Sequence, residues 1–187
     1  MRYFSANKIH SGYAFLPEGS VLITDDNGCV EDILPESQLA GKNIERWDGI
    51  ICPGFVNAHC HLELSYLKGR LTEGKGLHEF IREIESLKRP QDDEMYNASE
   101  RADAEMYATG IVAVGDICNT NLTFSLKKKS QVYYHNFLEV YAFDPNRADA
   151  AFERGKKLET EAVNAGLKNY TIAPHAPYSA SFRLLKM

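Results

Sequence analysis

The 187-residue sequence predicts an α/β protein: a parallel sheet with helices between its strands, preceded by a small β unit. Three observations predict it. Nearly all-apolar runs, such as residues 111–117 (IVAVGDI), suit parallel strands covered on both faces. These runs alternate with segments whose apolar residues recur at helical spacing. Residues 1–50 lack that alternation and carry a hairpin signal instead.

In chain order, residues 19–24 (GSVLIT) are short and β-branched. Asp25-Asp26-Asn27-Gly28 follows, and Asn-Gly marks a hairpin because both residues tolerate positive φ. Residues 29–34 (CVEDIL) read as the return strand, so 1–50 form a small antiparallel β unit. The α/β region occupies 51–187, and the largely apolar stretch 49–58 leads into its first strand. A helix over 76–88 carries Leu77, Phe80, Ile81, Ile84 and Leu87 on one stripe. A second over 93–109 turns Met95, Ala98, Ala102 and Met106 inward, and Gly110 stops it. Residues 111–117 form the second strand and 132–140 the third. Between them, Lys127-Lys128-Lys129 is expected to be a solvated helix end rather than a phosphate site. A third long helix over 148–166 packs through Ala151, Gly155, Leu158, Ala162 and Ala165. Residues 170–175 (YTIAPH) are the fourth strand.

Composition narrows the function classes. Hydrophobic residues are 44% and charged residues 25%, the balance of a soluble globular chain. Lys+Arg 21 against Asp+Glu 26 gives a net charge of −5, with no basic stripe, so nucleic-acid binding is not expected. No apolar stretch approaches the roughly 20 residues that span a bilayer, and no secretory signal pattern opens the chain. Cys29, Cys52, Cys60 and Cys118 form no C-x-x-C pair. They are expected to be reduced, buried thiols of a cytoplasmic protein.

The chemistry centres on His59-Cys60-His61. In a strand, residues i and i+2 face one side, about 6.6 Å apart by rise. Two imidazoles so placed can converge on one metal while Cys60 points away. A metal held this way lowers the pKa of its water to about 7. Glu63 falls on the histidine face if the strand continues, where it would orient a ligand or contact substrate. H-x-H pairs also arise by chance, and other metalloenzymes, such as PHP-type phosphoesterases, use them. The position favours function, since ligands of parallel α/β folds gather at the strands' carboxyl ends. His175 either faces that site or holds its own turn. Glu139 either reaches the site from strand three or caps the surface. Asp116 is expected to stabilise the loop after strand two. Arg70 and Lys75 are expected in solvent, and His10, His78 and His135 to be structural.

PGFVNAHCHLELS (53–65) resembles the first-strand metal motif of the amidohydrolase superfamily. IAPHAPYS (172–179) resembles the fourth-strand segment of its nucleoside-deaminase and chlorohydrolase-like branch. The resemblance covers essentially the whole chain. It implies the N-terminal part of a TIM (β/α)₈ barrel, about four βα units, preceded by part of a β-sandwich. It implies that His59 and His61 ligate one divalent metal, zinc or iron, and that His175 faces a small-molecule substrate. The activity it implies is hydrolytic deamination of a purine-like ring through a metal-bound hydroxide, with a chlorohydrolase or cyclic-amide hydrolase as the alternative. Residues 170–175 contain no lysine, which disfavours the binuclear members. The third histidine ligand, the proton-shuttling glutamate and a later His and Asp have no counterpart up to Met187. The catalytic residues are therefore expected beyond Met187, and these residues alone are expected to be an inactive fragment. A half barrel leaves strand edges and an apolar face open, which favours association, a homodimer included.

Overall fold

The computed structural model describes residues 1–187 apart from the side chain of Glu85, in two compact units, Met1–Gly54 and Phe55–Met187.

The first unit is one four-stranded sheet, ordered β3-β2-β1-β4, from β1 (Arg2–Ile9), β2 (Ser20–Thr24), β3 (Val30–Pro35) and β4 (Ile44–Ile51). The hairpin β2–β3 lies where Asn27-Gly28 places it. Asp25 Oδ1 accepts from the amides of Asn27 (2.9 Å) and Cys29 (2.8 Å), and Gly28 sits at φ +86°. The expected purely antiparallel unit is corrected, because β4 joins β1 in parallel. β1 and β4 escape the sequence reading because half-exposed polar residues interrupt both of them. Val21, Ile23 and Leu39 form the small core.

The second unit carries β5 (Phe55–Cys60), β6 (Ile111–Cys118), β7 (Tyr133–Val140) and β8 (Tyr170–Pro174) as a parallel sheet in that order. Neighbours in sequence are neighbours in space throughout. A doubly wound sheet reverses its order partway, whereas a barrel wall adds strands in one direction. Helices α1 (Gly76–Ser86), α2 (Asp92–Ala108), α3 (Phe124–Lys129) and α4 (Ala148–Asn164) fill the crossovers. Gly110, at φ +87°, turns the chain from α2 into β6. Among the described residues, no helix is long and apolar enough to cross a membrane.

Alternate residues of β6 and β7 bury against the helices. Cys118 and Leu138 pack with Phe124, Leu158 and Ala162, while Val114 and Tyr134 pack with Leu62, Leu126 and Val132. The α4 stripe is buried through Ala151, Gly155, Leu158 and Ala162, with Ala165 half-buried. The α1 stripe forms, but Leu77, Phe80 and Ile81 are exposed. Gly155 is set by packing, since a Cβ there would lie 2.6 Å from Val140 Cγ1. Alanine normally helps a helix interior by about 1 kcal/mol. Here the β-branched Val140 cannot swing clear, so Gly155→Ala is expected to destabilise by about 1–2 kcal/mol in urea unfolding. A stabilised variant would disprove that tight approach.

Two side-chain expectations are corrected. Lys127 is not a solvated helix end. Its side chain is 0% exposed and pairs with Asp116, itself 1% exposed, while Lys128 and Lys129 do face solvent. α3 is only Phe124–Lys129, too short for its buried face to show as a period, and a lysine run reads as solvent. The cysteines divide: Cys118 is buried and Cys60 half-buried, but Cys29 and Cys52 are exposed in the first unit.

Candidate active site

β5 delivers His59 and ends at Cys60, leaving His61 as the first residue past the strand. The two imidazoles stand edge to face, centroids 5.1 Å apart at 70°. Asn57 Oδ1 accepts from the His59 amide at 3.3 Å. His61 Nδ1 is buried and has no hydrogen-bond partner among the described residues. Cys60 faces the other way, into the layer of Leu62 and Val114. Burial, and then the Asp116 carboxylate, push its thiol up to about 12, so it supplies no thiolate.

The loop after β5 is held by two carboxylates. Asp116 Oδ1 accepts from the Leu62 amide at 2.7 Å, and Oδ2 pairs with Lys127. Asp116 therefore secures the loop after β5, not the loop after its own strand. Burial pulls the Lys127 ammonium down, but Asp116 and Cys118 outweigh it and hold the group above its ordinary value. Ser99 Oγ donates to the Leu62 carbonyl at 2.9 Å.

The strand does not continue to Glu63, which sits in a 3₁₀ turn, Leu62–Leu67, and is 4% exposed. Its carboxylate accepts from the amides of Asn119 and Thr120, both at 3.0 Å, and from Thr120 Oγ1 at 2.6 Å. It ties the loop after β5 to the loop after β6.

A cavity of about 550 Å³ opens beside this loop. His61, Glu63, Glu139 and His175 all line it, so residues at the carboxyl ends of β5, β7 and β8 and in the turn after β5 converge. The volume suits a drug-sized or nucleoside-sized molecule. His59 stacks against His61 but does not line the cavity. Glu139 lies one residue before the end of β7, half-buried. The His175 amide donates to the Val140 carbonyl at 3.0 Å, and its Nδ1 lies 2.9 Å from Ser179 Oγ. His175 thus lines the cavity and also contacts its own turn. Tyr141 and Arg89 also line the cavity and were missed. Tyr141 follows β7 directly and was findable from its place at a strand's carboxyl end, while nothing local marks Arg89.

Arg70 pairs with Glu94 at 2.7 Å, both exposed. His135 Nε2 bonds Thr171 Oγ1 at 3.0 Å within the sheet.

The donor set fits part of a metal site. Two facing imidazoles, one with an orphaned buried nitrogen, suit zinc or iron. Among the described residues, no third His, Cys, Asp or Glu joins them.

Residues 50–187 match the model of the amidohydrolase family. The 5'-deoxyadenosine deaminase of Methanosphaera stadtmanae is 26% identical over 183 residues, covering 91% of this chain and 41% of the relative. Helicobacter pylori aminofutalosine deaminase, solved with methylthio-coformycin, superposes with a TM-score of 0.74 at 20% identity, over 99% of this chain and 46% of its own. A Xanthomonas campestris adenosine deaminase with bound zinc gives 0.65 at 20% identity, over 96% and 44%. The chain thus spans less than half the length of these relatives, and its parallel sheet is part of their barrel. With that match running through most of its length, the chain belongs to the amidohydrolase family.

Proposed function

We propose that this chain supplies the first metal-ligand pair and much of the substrate cavity of a cytoplasmic, metal-dependent deaminase acting on a purine-like nucleoside. One observation carries the reading: His61, Glu139 and His175, from separate strand ends, line a single cavity beside the His59–His61 pair. The named activities of the relatives above support it.

His59 and His61 would hold one divalent metal, zinc first, and that metal would supply a nucleophile at neutral pH. The chain's own residues shape the ligand loop and the cavity wall. Asp116 and Glu63 fix the loop that aims His61. Glu139, half-buried at the cavity wall, accepts a hydrogen bond from a ring or sugar donor. His175 offers a ring nitrogen, and Tyr141 shields the same wall.

The test joins metal analysis to product detection. About one zinc or iron per chain is expected in a protein of the relatives' full length. His61→Ala should weaken metal affinity by at least about 100-fold, beyond what loss of a supporting partner costs. In a protein of the relatives' full length, ammonia should appear from 5'-substituted adenosines, whereas residues 1–187 alone should release none. Chloride from a chlorinated triazine without ammonia would move the reading to the chlorohydrolases. Unchanged metal content in both His59→Ala and His61→Ala would overturn it.

A further inference from the structure

The turn after β8 brings the His175 ring, the Ser179 hydroxyl and the Ala176 carbonyl within hydrogen-bond distance. Ser179 Oγ lies 2.9 Å from His175 Nδ1 and 3.1 Å from the Ala176 carbonyl. A serine hydroxyl has one proton to donate, and a carbonyl oxygen can only accept. Both contacts are hydrogen bonds in one arrangement alone. Ser179 Oγ–H donates to Ala176, and His175 Nδ1–H donates to Ser179 Oγ. The Ser179 amide also donates to Ala176 O, at 3.0 Å, and the two lone pairs of that oxygen take both donors.

We propose that Ser179 is a positioning residue that holds neutral His175 as its Nδ1–H tautomer, presenting Nε2 to the cavity as a lone-pair acceptor. The tautomer of a histidine is set by the bond its other nitrogen makes. The ring itself is held in place. The His175 amide is anchored on Val140, and Tyr141 and Tyr178 stand edge-on to the imidazole at 6.3 and 5.9 Å. Nε2 is the nitrogen left over, on a residue that lines the cavity. An acceptor there selects a guest with an O–H or N–H donor, such as a sugar hydroxyl, and turns away a carboxylate or a bare ring nitrogen. Only the identity of that guest rests on the proposed function. The tautomer does not.

The experiment is ¹⁵N–¹H NMR of the imidazoles in this chain, without metal or substrate, above the histidine titration range. His175→Gln identifies the His175 signals by their loss. Nδ1 is expected at the protonated, pyrrole-like shift and Nε2 at the unprotonated, pyridine-like shift. Ser179→Ala should abolish that preference, and Ser179→Thr, which keeps the hydroxyl, should restore it. An Nε2–H tautomer in the unmodified chain overturns the proposal without any variant. So does a Ser179→Ala spectrum identical to the parent, or a Ser179→Thr spectrum matching Ser179→Ala. None of these outcomes alters the deamination test, so the two readings fail separately.

Discussion

Asp116→Ala is expected to cost about 3–5 kcal/mol of folding stability, the range for removing one partner of a buried ion pair. Two losses combine in it. Lys127, with a fully buried side chain, loses its carboxylate partner and is left with the Cys118 sulfur at 3.1 Å and the rings of Phe124 and Tyr134. The Leu62 amide, beside His61, loses its acceptor. The intact pair is no evidence of net stabilisation, because burying both charges also costs. A double variant, Asp116→Ala with Lys127→Met, should therefore recover a large part of the loss. Urea unfolding of the two singles and the double gives the coupling directly. A single-variant loss below about 1 kcal/mol, the scale of an exposed pair, would show that the charges are not buried as described. The pH sign follows from the raised Lys127 value. Stability from its charge is fully present below the ordinary lysine pKa. It is lost only as pH rises through the folded value, so neutral pH keeps all of it.

Glu63→Ala is the second large effect. Its carboxylate accepts three hydrogen bonds, and each bond to a charged group is worth about 1.5–3 kcal/mol. Neighbouring bonds do not add fully, so a loss of about 3 kcal/mol is expected. Two backbone amides, at Asn119 and Thr120, would lose their acceptor. Glu63→Gln should be intermediate, since its one carbonyl oxygen can serve only part of the set and its NH₂ opposes a donor. Hydrogen exchange at Asn119 and Thr120 is the local readout. Unchanged protection in Glu63→Ala would refute the tether between the two loops.

The parallel strands were legible because they write nearly continuous apolar runs, as in 111–117, although only alternate residues of β6 are fully buried. The long helices were legible because seventeen residues give a period time to show, and α4 buries the stripe it displays. β4 was not, because its partner β1 is far upstream, and parallel pairing leaves no turn between them to read. The His59–His61 pair was legible from the two-residue repeat of a strand. The fate of Glu63 was not, because the chain leaves the strand at His61 and periodicity cannot announce where it stops. Lys127 was misread for a related reason. Charge in a sequence points to solvent, and only the fold brings Asp116 to the inner side of α3. Arg89 enters the cavity through tertiary placement alone, whereas Tyr141 follows the end of β7.

The two oxygens of Asp116 face different tasks, one toward the helix layer at Lys127 and the other toward the residue after His61. One carboxylate is thus a mechanical linkage between the outer packing and the ligand loop. A substitution near α3, distant from any guest in the cavity, would be felt as a tilt of the imidazole pair. Engineering this protein for heat resistance from its helical side would therefore retune its chemistry as well.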